Sequence, residues 1–235
     1  GVGWMVDLVA APSRGRGPRS GAGQVFTILR DEIITLALAP GRVLSRQELQ
    51  ERFGYSSTPI RDALMRLEEE GLVEIFPQHA TVVSPIDLGR ARQGQFLRRS
   101  IELEIVRTLA FAPEPGLVAR LRSLDRQQKA LADVGEHGAF VEADQAFHRA
   151  TYEAAGVLEL WHLVRRQSGH IDRLRRLHLP KAGKITEILE AHTAIVDAIE
   201  AGRPDAAQAA LRDHLSRSLD FADSLKASHP EYFRG

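Results

Sequence analysis

The sequence predicts a mainly α fold in two parts: an N-terminal winged helix-turn-helix and a C-terminal antiparallel bundle of about six helices. Three observations carry that prediction. Apolar residues recur at helical spacing through most of the chain. The only β-rich runs, 72–76 and 81–86, lie close together around a short turn. Beyond Asp87, proline and glycine divide the chain into helix-length pieces.

In order, residues 1–23 are rich in Gly, Pro, Ser and Arg and read as a flexible leader. A first helix is expected over 24–38, with Phe26, Leu29, Ile33 and Leu36 on one apolar face and Pro40-Gly41 ending it. Ser45 is suited to cap a second helix that runs to Phe53 and turns Leu49 and Phe53 inward. Gly54 makes the turn; Ser57 or Thr58 caps a third helix, with Pro59 at its first position. Ile60, Leu64 and Leu67 hold that helix to the other two, and Gly71 stops it. Two short strands around 77–80 complete a domain over 24–86. Ser84-Pro85 reads as a hinge. Six helices follow, over 87–111, 115–134, 138–155, 157–178, 183–201 and 204–227, giving a second domain of 87–227 and a tail of 228–235.

Composition limits the classes open to this chain. Its 235 residues suffice for two modest domains with a real core. It has 31 basic and 31 acidic residues, and 1–86 alone hold nine and ten, so no basic field advertises a nucleic acid. With no cysteine there are no disulfides and no thiolate metal sites. No apolar run approaches a membrane span, and Trp4 to Ala11 lacks the charged start and long apolar core of a secretion signal. A cytoplasmic protein without membrane partners is the expectation.

Against that neutral background, residues 54–73, GYSSTPIRDALMRLEEEGLV, have the layout of a helix presented to the DNA major groove. Small hydroxyl residues at a helix start offer O–H and N–H groups to phosphate, where the helix dipole adds to the attraction. Arg61, one turn in, can reach phosphate or make the forked contact to guanine. Ser56, Ser57 and Thr58 taken alone read equally as helix caps. Their place after a glycine turn and before a wing favours double-stranded DNA as the partner.

A second constellation lies in the bundle. Asp144 and His148 are four apart and share a helix face, which Val141, Tyr152 and Ala155 continue. His192 falls in an apolar stripe with Ile185, Ile188, Ile195 and Ile199, and His214 lies between Leu211 and Leu215. One buried histidine is usually only a core residue; an inward carboxylate is expensive unless something pairs with it. Three imidazoles and a carboxylate would suit a divalent cation such as Zn, Ni, Fe or Mn. Spacing alone leaves open whether the three helices converge. His162, Arg166, His170 and Arg173 are expected on one face of the helix over 157–178.

The stretch LAPGRVLSRQELQERFGYSSTPIRDALMRLEEEGLVEI resembles the winged helix of GntR-family transcriptional regulators over residues 24–86. Residues 143–156, 188–211 and 212–219, with Leu97 to Glu102, resemble the all-helical FCD effector domain of the FadR-like branch, over about 87–225. A count of six effector helices looks more like the VanR subgroup. The resemblance implies a homodimeric, ligand-responsive regulator acting as a repressor, with DNA contacts at Ser56, Thr58 and Arg61 and, by position only, at Gln47, Ser57 and His79. Three of these depart from the family pattern. Ser57 and Gln47 each stand where arginine is common, and His79-Ala80 replaces the usual Arg-Gly wing tip, so the wing is expected to turn differently. The metal ligands of such domains fall on Asp144, His148, His192 and His214. A small carboxylate effector would sit on the metal and on Arg98, His170 or Arg173. The rival reading is a metal-dependent enzyme acting on a small carboxylate through the same Asp and three His.

Overall fold

The computed structural model describes residues 20–180, 183–217 and 219–234. The N-terminal part holds α1 (Gly21–Ile34), β1 (Val43–Leu44), α2 (Arg46–Phe53), α3 (Ser57–Glu69), β2 (Val73–Phe76) and β3 (Ala80–Val83). The strands form one antiparallel sheet in the order β1-β3-β2. Val25, Leu29 and Ile33 of α1, Leu49 of α2 and Ile60, Leu64 and Leu67 of α3 bury together beneath it. This is a winged helix-turn-helix.

Several boundaries differ from expectation for local reasons. Helix α1 begins three residues early because the Ser20 Oγ accepts from Gly23 N at 3.2 Å. Residues 20–23 therefore cap and open a helix, and the rest of the expected leader, 1–19, lies outside the described residues. The helix ends at Ile34, and Leu36 is left-handed at φ 64°, off the apolar face. Helix α3 starts at Ser57 with Ser56 as its cap, so Pro59 takes the third position. Proline tolerates that place because N–H groups in the first turn have no intrahelical acceptor. The pairing of Val43 with Val82 and Leu44 with Thr81 was not anticipated; two residues carry no periodic signal. In the wing the left-handed residue is Gln78, at φ 62°, and Ala80 joins β3.

The C-terminal part is helical: α4 (Leu88–Phe111), α5 (Pro115–Asp133), α6 (His137–Ala154), α7 (Leu158–Gln167), α8 (Gly169–His178), α9 (Lys184–Glu200), α10 (Pro204–Ser216) and α11 (Ala222–Ser228). Each of the six expected stretches is present, but two are broken. The stretch 157–178 divides at Ser168, whose Oγ donates to Asp172 Oδ2 at 2.6 Å. The stretch 204–227 divides after Ser216. Val106, Leu121, Phe147, Tyr152, Ile199 and Leu215 belong to the main core of the bundle.

A separate apolar cluster, including Ile86, Ile171, Leu174, Leu225 and Phe233, packs the linker against the bundle. Ser84-Pro85, expected to act as a hinge, is gripped on both sides. Ser84 N donates to Leu72 O at 2.9 Å, and Ile86 N donates to Tyr232 O at 2.7 Å. The tail thus returns to the linker as a parallel bridge between Ile86 and Phe233.

Candidate metal centre and nucleic-acid interface

The bundle brings Asp144 and His148 of α6, His192 of α9 and His214 of α10 to one point. Each offers a ligand atom, and those four atoms lie within 4.8 Å of one another. All four residues are buried; His192 has no exposure at all. His214 Nε2 is 3.3 Å from His148 Nε2, and His192 Nε2 is 3.4 Å from Asp144 Oδ1. Neither Asp144 Oδ1 nor His192 Nε2 has a hydrogen-bond partner.

The outer ring nitrogens are fixed from behind. His192 Nδ1 donates to Gln128 Oε1 at 2.9 Å, which leaves Nε2 as the lone-pair atom. His148 Nδ1 pairs with Glu102 Oε2 at 2.9 Å. Glu102 Oε1 in turn accepts from Arg98 Nε at 2.8 Å and from the Tyr152 hydroxyl at 3.2 Å. Burial opposes the Glu102 charge, but Arg98 and then His148 outweigh it and bring its pKa down to about 2. Burial likewise works against the Asp144 anion, yet Arg175, whose Nη2 donates to Oδ2 at 2.6 Å, and the three imidazoles hold it well below the usual carboxylate range. Burial is the main cause that pushes His192 down to about 3 and His214 well below its ordinary value. An anionic carboxylate and neutral imidazoles are the protonation states in which these groups ligate metals.

Arg98, expected to bind an effector, is buried and committed to Glu102, so its charge acts on the cluster through His148. His170 and Arg173 lie elsewhere. The break at Ser168 ends the single face expected for 157–178 and turns both residues of α8 toward the winged helix. His170 Nε2 donates to Gly71 O at 3.0 Å, and its Nδ1 accepts from Asp87 N at 3.0 Å. Arg173 Nη1 donates to Ser84 O at 2.7 Å. His162 and Arg166 are exposed. Sequence reasoning missed Glu102, Gln128 and Arg175. Gln128 continues the buried stripe Leu117, Leu121 at helical spacing, and Glu102 stands one turn from Arg98, so both left a trace. Arg175 left none.

At the other end, Ser56 caps α3 without using its hydroxyl, and Ser57 and Thr58 are exposed in the first turn. The Arg61 side chain is 59% exposed, with Asp62 Oδ1 3.5 Å away. Gln47 is exposed on α2 and donates to Glu51 Oε1 at 3.1 Å. His79 is exposed in the wing turn, its N–H donating to Phe76 O at 3.1 Å. The exposed start of α3 and the wing thus leave polar groups open to a partner.

Comparison with known proteins decides the family. Residues 22–83 match the bacterial regulatory proteins of the gntR family, and residues 95–217 match the FCD domain. The chain belongs to the GntR family. A transcriptional regulator of helix-turn-helix type from an unstable DNA locus of Streptomyces ambofaciens is 36% identical, with 92% of this chain and 90% of that one covered. The transcriptional repressor RspR of Escherichia coli is 27% identical, covering 89% and 92%. Among solved structures, McbR of Escherichia coli superposes with a TM-score of 0.74 at 20% identity, covering 88% and 98%, which is a likeness of fold. This GntR protein is a DNA-binding transcriptional regulator, and the enzyme reading gives way to that finding. Among its described residues, no helix is long and apolar enough to cross a membrane.

Proposed function

We propose that this chain is a ligand-responsive repressor that acts in the cytoplasm as a homodimer and whose FCD domain holds a divalent metal and a small organic acid. The observation that carries the reading is the cluster itself: Asp144 Oδ1 and His192 Nε2, both buried and unpartnered, 3.4 Å apart. Two lone pairs facing each other out of water are unfavourable, and a cation between them removes the conflict. Three imidazoles and one carboxylate suit Zn, Ni, Fe or Mn. Asp144, His148, His192 and His214 would hold the ion, with Glu102 and Gln128 orienting two of the rings. When bound, such an ion polarises and anchors a carboxylate at its open positions.

At the DNA end, Ser56, Ser57, Thr58 and Arg61 would contact the operator, joined by Gln47 and His79. Ser57 and Gln47 bring no charge, so Arg61 carries most of the electrostatic share among these six. Repression is favoured by the likeness to RspR, a transcriptional repressor, and a two-fold dimer suits paired half-sites. Native mass spectrometry of the purified chain tests the metal: one ion per protomer is expected, lost in His192→Ala. Gel shifts with and without metal and candidate acids then test the response. A wild-type chain that binds no divalent ion would refute the reading.

A further inference from the structure

A cavity of about 320 Å³ opens beside the four-residue cluster, and the bundle does not enclose it alone. Asp144 and His214 of the cluster line it, together with Phe140 and Ile188. The rest of the lining includes residues of the winged helix: Thr27, Arg30, Asp31 and Ile34 of α1. That volume lies within the range of small-molecule sites. The first helix of the reading head is therefore part of the pocket.

The charges along the wall form a chain between the two domains. Arg175 Nη2 donates to Asp144 Oδ2 at 2.6 Å, and Arg165 Nη2 pairs with Asp172 Oδ2 at 2.9 Å. Arg165 O accepts from Arg30 Nη2 at 2.6 Å, and Arg30 Nε pairs with Glu70 Oε2 at 2.6 Å. Glu70 is the residue that ends α3, the helix with the DNA-facing start. Asp144 and Asp172 are thus neutralised by Arg175 and Arg165. Arg176 lines the same cavity with no ion-pair partner among the described residues.

We propose that this cavity is an effector site shared by both domains and that its ligand is an organic dianion, one carboxylate at the metal and the other held by Arg30 and Arg176. The inference rests on the metal reading above. Phe26, Ile34, Phe140 and Ile188 supply an apolar surround for the carbon chain between the two charged ends. The second carboxylate competes with Glu70 for Arg30, so binding loosens the contact that ties the end of α3 to α1 and, through Arg30, to Arg165 O of the bundle. A ligand confined to the bundle could not act on the head so directly.

Calorimetry on the full chain loaded with Zn(II) tests this, with succinate, glutarate and adipate compared with butyrate, valerate and hexanoate. At least one diacid should bind about tenfold tighter than the monoacid of equal length, the size of one charge-assisted forked contact. Arg30→Gln should remove that advantage while zinc uptake stays unchanged. Asp31→Asn, at an exposed position that leaves folding intact, should tighten diacid binding about threefold by removing a like charge from the α1 wall. Zinc uptake with no diacid preference, or a preference indifferent to both substitutions, overturns the inference alone. A chain that takes up no zinc overturns the metal reading and the inference with it.

Discussion

His170 commits both ring nitrogens to the backbone, one to Gly71 O and the other to Asp87 N, and this requires the neutral ring. Burial first, then Arg173 and Arg90, push its pKa down to about 3, against a weaker upward pull from Gly71 O and Asp87. The unfolded chain protonates this ring near pH 6.5, so between about 6.5 and 3 the unfolded state binds the extra proton. Stability from His170 is therefore complete above pH 6.5 and falls as the medium is acidified, by up to about 1.4 kcal/mol per pH unit. Urea midpoints measured across that window should fall less steeply in His170→Gln. Glu102 makes a different prediction. Glu102→Gln keeps its shape but weakens the hold on His148, and metal affinity in chelator competition should drop about 10- to 100-fold without being lost. The four clustered residues could be picked out beforehand because one helical turn separates Asp144 from His148. Their convergence could not be, since the crossings of α6, α9 and α10 depend on packing across the whole bundle.

At the scale of elements, the break between α7 and α8 governs the arrangement. A Cβ on Gly94 would lie 2.4 Å from Gln167 O, so α4 can approach the end of α7 only through a glycine. Gly94→Ala should destabilise the chain by about 1–3 kcal/mol, read as a lowered urea midpoint, because backbone cannot move aside as a side chain can. A Cβ on Gly169 would meet Leu72 Cδ2 at 2.6 Å, which brings the start of α8 against the winged helix. Neither constraint is visible as a pattern. The run 157–178 keeps helical periodicity across Ser168, so it reads as one helix until tertiary contacts divide it. The winged helix was far more legible, because Ser45, Gly54 and Gly71 are caps and stops that act locally. Its error at Pro59 is of the kind local rules make, since several first-turn positions suit proline equally.

For the molecule as a whole, charge balance makes a prediction about DNA. A neutral chain has little long-range steering, so affinity must come from a few close phosphate and base contacts. Arg61→Ala should weaken operator binding by about 1–3 kcal/mol in a salt-controlled gel shift. Its salt slope should fall by about one if Arg61 holds a phosphate, and stay unchanged if it holds guanine. The two-domain plan was readable because glycine and proline punctuate the sequence after Asp87. The way the domains touch was not, as it depends on His170, Arg173 and Arg30 reaching across to backbone or to a partner far away in sequence.

Phe233 ends up beside Ile86, and Arg234 bonds both to Ile86 O and to the Glu74 side chain of the wing strand β2. Residues 229–234 therefore act as a splint for the joint between the winged helix and the bundle. Deleting them would free that joint and register as altered promoter control, although they line neither the exposed start of α3 nor the cavity beside the four-residue cluster.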